Sequence, residues 1–218
     1  MTIRPIRIWG RASAYNVQKA LWALAETGVA FERIEAGGGT GGLDSAEFLA
    51  MNPNGRIPVL DDGEAIVWES NAVIRYLAAR YAPGSLWPED AGVRSYADRW
   101  MEWYQNNLHR PFMDLFWGLV RTPERERDWP VLNRLIGECA RHYTLLDREL
   151  AARAWLGGDR FTMGDIPAGT SLYRYFVMDI ERPALPNVMR WYERLAERAA
   201  YREHVMRPFG ELVGRREF

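Results

Sequence analysis

Residues 6–35 read IRIWGRASAYNVQKALWALAETGVAFERIE, and the fold is decided there. Ile6 and Ile8 alternate with Arg7 and lead into Trp9, the pattern of a strand with one buried face, and Gly10 opens a turn. Val17, Ala20, Leu21, Leu24 and Ala25 then recur at helical spacing, with Gly28 placed as the C-terminal stop. A second strand is predicted from Phe31 to Glu35. Strand, helix, strand in this order implies a parallel pair joined by a right-handed crossover.

Beyond this unit come a glycine-rich loop, Gly37 to Gly42, and a short helix near Ser45 to Ala50. Pro58-Val59-Leu60 and Ala65-Ile66-Val67-Trp68 flank Asp61-Asp62-Gly63, a hairpin signal. A third helix begins at Ser70, whose hydroxyl can cap it, and carries Val73, Ile74, Leu77, Ala78 and Tyr81 on one face. The order βαβαββα defines an α/β domain over residues 1–82. Pro83 to Pro88 reads as a linker, and residues 90–218 as an all-α domain. Its stripes are Val93, Tyr96, Ala97, Trp100, Met101, Tyr104 and Leu108; Leu132, Leu135, Cys139, Tyr143, Leu146 and Leu150; and Val188, Trp191, Tyr192, Leu195 and Ala199. Thr162 and Asp165 form an acidic capping box, with Phe161 stapled to Ile166.

Composition narrows the function. At 218 residues and 48% hydrophobic, the chain can bury two modest cores. A formal net charge of −1 with scattered basic residues gives no footprint for nucleic acid or an acidic membrane. No stretch approaches the ~20 apolar residues of a membrane span, and the amino terminus lacks a signal-peptide core, so a cytoplasmic location is expected. Cys139 is the only cysteine, which excludes an internal disulfide or a CxxC centre; any thiol chemistry must use the thiol of a ligand. His109, His142 and His204 lack ligand spacing, so no metal is expected, and no Gly-x-Ser-x-Gly elbow is present. Lys19 is the single lysine among the basic residues, read as a compositional bias toward arginine.

Gly37, Gly39 and Gly42 satisfy G-x-G-x-x-G, yet the following segment is too short for a crossover helix; the reading is a flexible loop, not a dinucleotide cradle. Three other segments carry chemistry. In Asn52 to Leu60, Pro58 suits the entry of an edge strand, and a cis Ile57-Pro58 bond would turn the Ile57 backbone outward to pair with a peptide; the alternative is an ordinary proline turn. At Trp68-Glu69-Ser70-Asn71 a helix start offers N–H donors to a carboxylate while Glu69 answers an ammonium; the alternative is that Ser70 only caps its helix. Gly10 to Asn16 holds Arg11, Ser13, Tyr15 and Asn16 at another helix start, where donors favour a thiolate, unless Ser13 or Asn16 is an N-cap. Trp100, Trp103, Tyr104, Met113, Phe116 and Trp117 put more aromatic surface on one helix than a single face can bury; some of it is expected to line an apolar pocket.

Taken in order, Gly10 to Asn16, Asn52-Pro53 to Ile57-Pro58, Glu69-Ser70 with Asn71 to Leu77, and Thr162-x-x-Asp165 resemble the cytosolic glutathione transferases, most of all bacterial theta- or nu-like members. The resemblance covers essentially the whole chain. It implies a thioredoxin-like domain, a helical domain, a homodimer, cis Pro58, and glutathione as co-substrate without a metal. By the same resemblance Ile57 binds the cysteinyl part of glutathione, Glu69 and Ser70 its γ-glutamyl end, and Arg56 its glycyl carboxylate, with Arg11 and Asn52 in the same site. The family's serine would fall at position 14, where this chain has Ala14; Ser13 and Asn16 are both candidates to donate to the sulfur. Tyr15, Trp103 and Trp117 are the candidate pocket residues for a small electrophilic or hydrophobic substrate. The expected reaction is conjugation in detoxification; the alternatives are a glutathione-dependent disulfide reductase or peroxidase, and a non-catalytic interaction module.

Overall fold

In the computed structural model, which describes residues 5–216, Ile6 and Ile8 are buried and Arg7 and Trp9 half-buried in β1 (Ile6–Trp9). Gly10 then turns the chain at φ 147°, and a Cβ there would lie 2.4 Å from Val17, so only glycine lets the strand run this close to the helix it feeds. That helix, α1 (Tyr15–Glu26), ends where Gly28 adopts φ 72° and its N–H bonds the Ala25 carbonyl. β2 (Phe31–Ile34), α2 (Ala46–Met51), β3 (Val59–Asp61), β4 (Ile66–Trp68) and α3 (Ser70–Tyr81) follow. The sheet order is β2-β1-β3-β4; β1 pairs parallel with β2 and antiparallel with β3, Trp9 lying opposite Val59. Val17, Leu21 and Leu24 of α1 and Val73, Ile74 and Leu77 of α3 are buried.

The β3–β4 turn is locked to α3 by Asp62. Its carboxylate accepts from the hydroxyls of Tyr76 and Tyr81 and from the backbone N–H of Glu64 and Ala65. Burial raises the carboxyl, but these four donors together outweigh it and hold the pKa at about 2.

Contacts divide the chain between Trp87 and Pro88 into two units. The second is helical: α4 (Ala91–Trp103), α5 (His109–Phe116), α6 (Trp129–Glu149), α7 (Asp165–Val177), α8 (Pro186–Ala196) and α9 (Ala199–His204). Asp90 and Asp128 cap α4 and α6, and Asp147 of α6 accepts the N–H groups of Asn187 and Val188 that open α8. Residues 104–108 and 117–121 are π-helical, so 91–121 is one helical run with two wide turns. Pro111 supplies a reason for the first: it has no N–H and clashes with the preceding turn, and a wider turn relieves both. Of the aromatic residues crowded on this run, Trp100, Tyr104 and Phe116 are buried and belong to the core.

Other sequence expectations shift in detail. The α6 stripe is buried as read, but Val93 is exposed and Ala199 opens α9 instead of closing the α8 stripe. Helix α7 starts at Asp165, three residues after the expected cap. The carboxylate half of the capping box forms, Asp165 accepting from Thr162 N–H at 3.0 Å, whereas the Thr162 hydroxyl accepts from Gly164 instead. A Cβ on Gly164 would lie 2.6 Å from the Ala97 carbonyl oxygen, backbone that cannot rotate away.

Gly164→Ala should therefore destabilise the helical unit by about 1–3 kcal/mol in urea melts. Asp62 has a folded pKa below its unfolded value, so its contribution is complete above about pH 4 and is lost as pH falls through about 2. Asp62→Asn should be less stable than the parent at pH 7, and the difference between the two melting temperatures should shrink toward pH 2.

Candidate functional site

Two helices of the first unit begin without a side-chain cap. At α1 the N-cap is Ala14, and at α3 it is Glu69; neither accepts a capping hydrogen bond, unlike Ser45, Asp90 and Asp128 at the starts of α2, α4 and α6. The N-cap position of α1 is neither Ser13 nor Asn16, and Ser70 is the first helical residue of α3 and not its N-cap. The N-cap side chain therefore takes up none of the first N–H groups of either helix. Glu69 holds φ 68°, the only non-glycine positive φ among the described residues, and its side chain is exposed. A conformation of this kind costs about 1–3 kcal/mol and marks a segment held for a purpose other than stability.

The polar side chains at the two starts meet. Ser70 Oγ donates to Asn16 Oδ1 at 3.4 Å, joining residues 54 positions apart in the chain. With its oxygen turned to Ser70, the Asn16 amide presents Nδ2 as its donating end. Ser13 is half-buried in the turn before α1, where Ala14 N–H bonds the Arg11 carbonyl. Arg11 lies against Gly38: a Cβ there would meet Arg11 Cδ at 3.2 Å.

The second wall is the 52–58 segment. Asn52 is buried; Nδ2 donates to the Arg56 carbonyl at 2.7 Å and Oδ1 accepts from Asn54 N–H at 3.1 Å, so it braces the loop from inside. Ile57-Pro58 is cis, as the sequence reading requires, and the ladder starts only at Val59, leaving Ile57 outside it; Arg56 is exposed. The glycine loop is ordered by a Gly37 N–H bond to the Gly41 carbonyl and by positive φ at Gly37, Gly38, Gly41 and Gly42. With the Pro53–Gly55 turn it lines a groove of about 380 Å³ that none of the expected glutathione-site residues borders.

Beneath the two helix starts lies Lys19, fully buried, with Nζ 3.4 Å from Asn71 Oδ1 and 5.8 Å from the centre of the Tyr15 ring. Burial pushes its pKa down to about 7, against the attraction of Glu69. Lys19 was missed because it lies off the apolar stripe read for α1; its being the single lysine was the available signal. Tyr15, a pocket candidate, is 5% exposed.

In the helical unit, Trp103 is half-buried against Trp100 and His142, and Trp117 is exposed with the Arg121 guanidinium 3.5 Å over its ring. Fourteen residues of helical run place them roughly 20 Å apart, so one small substrate cannot touch both at once. Among the described residues no acidic, histidine or cysteine cluster could hold a metal, and no helix is long and apolar enough to cross a membrane.

Comparison with known proteins gives a consistent result. The family profile of the glutathione S-transferase N-terminal domain matches residues 4–79, and that of the glutathione S-transferase C-terminal domain residues 130–194. The chain is 42% identical to glutathione S-transferase GstB of Escherichia coli K12 over 93% of this chain and 99% of that protein. Identity to glutathione S-transferase 3 of Zea mays is 30%, over 92% and 93%. A crystal structure of a theta-class glutathione S-transferase from Xanthomonas axonopodis pv. citri, with glutathione bound, superimposes with a TM-score of 0.90 at 48% identity, covering 94% of this chain and 99% of that one.

The chain's own thiol is no competitor for chemistry here. Cys139 is fully buried, and burial, with Glu138 adding to it, pushes its pKa up to about 12. Native protein at pH 8 should leave a chromogenic disulfide reagent unreduced, and unfolding in guanidinium should release the signal of the single cysteine.

Proposed function

The chain belongs to the glutathione S-transferase family, and we propose that the paired starts of α1 and α3, with the 52–58 segment, are its glutathione site. The protein is a glutathione transferase: the sulfur of glutathione forms a bond to an electrophilic carbon of a second substrate, and the leaving group departs with the electron pair. The observation that carries the site assignment is the Ser70–Asn16 contact, which sets a thiol-facing amide beside a carboxylate-facing helix start.

In this reading the tripeptide lies extended along Ile57, whose backbone is outside the β3 ladder. Its γ-glutamyl carboxylate meets the uncapped N–H groups at Ser70 and Asn71, and the exposed Glu69 carboxylate answers its ammonium. Arg56 and Arg11 take the glycyl carboxylate, while Asn52 acts through the loop it braces. Nδ2 of Asn16 and the Ser13 hydroxyl donate to sulfur. Lowering a thiol pKa by two units needs about 2.7 kcal/mol of preference for the anion, within reach of one or two donors to a charged acceptor.

Residues 1–82 are assigned to glutathione and 90–218 to a small electrophilic or hydrophobic partner, with either Trp103 or Trp117, which stand too far apart to act together, as its aromatic surface and Tyr15 acting from its buried position. Cytoplasmic residence fits a single buried cysteine. A homodimer fits Ile66 and Trp68, which stand 50% and 37% exposed on edge strand β4. Detoxification is the role such a conjugation would serve.

Calorimetry should detect glutathione binding at millimolar concentration or tighter, and no uptake would sink the assignment. Asn16→Ala should move the pH–rate profile for a chloronitrobenzene alkaline by about one to two units, the value of one hydrogen bond to an anion. Ser70→Ala should raise KM for glutathione by about tenfold, since the Asn16 amide loses the hydroxyl that turns its oxygen aside and its Nδ2 toward the sulfur. Faster turnover of a mixed disulfide or an organic hydroperoxide than of any chloronitrobenzene would move the protein to the reductase or peroxidase reading.

A further inference from the structure

Lysine is the residue least suited to complete burial, and the only one in this chain is 0% exposed. An apolar side chain would fill the same space in α1, where the neighbouring Ala20, Leu21, Trp22 and Ala23 are all fully or almost fully buried. The charge therefore requires an explanation that packing does not supply.

Its surroundings offer one. Asn16 and Lys19 are three residues apart on α1 and share a face. Ser70 and Asn71 are the first two residues of α3. Asn16 Oδ1 accepts from Ser70 and Lys19 Nζ donates to Asn71 Oδ1, each at 3.4 Å, so two successive rungs join the helix starts, one at the site and one beneath it. Both rungs are long, and neither holds the helices together; apolar packing does that. What they set is how the polar ends face each other. Glu69, one residue before α3, attracts the Lys19 charge from the other side of the junction. Asn71 is 9% exposed, and its Nδ2 is buried with no acceptor among the described residues, so the amide is oriented through its oxygen.

We propose that Lys19 is a positioning residue for glutathione: its buried ammonium, braced by Asn71 and answered by Glu69, sets how the start of α3 faces the start of α1. Asn16 and Ser70 are thereby kept at the separation one tripeptide needs to engage them with its sulfur and its γ-glutamyl end. The same charge adds positive potential beneath two helix N-termini, on the side where thiolate and carboxylate arrive. The proposal rests on the assignment of Asn16 and Ser70 to glutathione.

The test compares Lys19→Met, Lys19→Arg and Asn71→Leu with the parent in the full chain. Glutathione affinity is read by calorimetry, kcat and KM for both substrates with a chloronitrobenzene, and folding by melting temperature. Lys19→Met should bind glutathione about tenfold or more weakly, while KM for the electrophile stays within about twofold. Lys19→Arg, which keeps the charge, should restore most of that affinity, and Asn71→Leu should shift KM for glutathione in the same direction as Lys19→Met. Glutathione affinity unchanged in Lys19→Met, or an equal loss in Lys19→Met and Lys19→Arg at matching melting temperatures, overturns the proposal. If Lys19→Met does not fold, Asn71→Leu decides: unchanged affinity for glutathione overturns the role. Parent protein that binds no glutathione would instead refute the site assignment itself, and this proposal with it.

Discussion

Helix α1 has no solvent face. Nine of its twelve residues are buried, among them Gln18 and Lys19, so the buried polar groups it carries must find partners inside the protein. This constraint orders what surrounds it: Gly10 exists so that β1 can approach Val17, and α3 must bring apolar Val73, Ile74 and Leu77 to the core while offering polar atoms only at its start. The polar contacts of the site are those that a doubly buried helix leaves at its one open end.

The elements of the first unit were legible because each obeys a local rule. Alternation marked β1, a glycine after an apolar repeat marked the end of α1, and the Asp-Asp-Gly turn marked the β3–β4 hairpin. What resisted reading was non-local. An amphipathic stripe says nothing of the residues off it, so Lys19 reads only as a compositional bias although it is fully buried, with Nζ against Asn71 of α3. Ser70 was read as a cap because hydroxyls at helix starts commonly are, whereas its partner is 54 positions away. The π turns at 104–108 and 117–121 have a weaker signal: Pro111 announces a disturbance in a helical run but not whether the chain will break or widen.

The segments of the proposed site, 10–16, 52–58 and 69–71, stand out in the sequence by their turn and cap chemistry, whereas the direction in which each side chain turns does not. Asn52 turns inward to the Arg56 carbonyl and Asn16 across to Ser70, although both are asparagines beside a turn. The aromatic crowd on the 91–121 run divides in the same way: Trp100, Tyr104 and Phe116 are core, and Trp103 and Trp117 keep accessible surface.

A buried carboxylate and the α1–α3 junction show how met and unmet polarity differ. Asp165 in the helical unit is fully buried, and its carboxylate accepts from the N–H groups of Leu156 and Thr162, the Trp191 indole and the Thr162 hydroxyl. A carboxylate so completely met fixes one geometry and has nothing left to offer a ligand. At the α1–α3 junction the opposite holds: both helix starts are uncapped, Glu69 sits at positive φ, and an Asn71 amide nitrogen is buried without an acceptor among the described residues. Ser45, Asp90 and Asp128 cap α2, α4 and α6, and no such side chain stands at the starts of α1 and α3. Unmet polarity held in place by a dry apolar core is the condition under which a peptide carrying a thiol, a carboxylate and an ammonium gains more from binding than it loses in water.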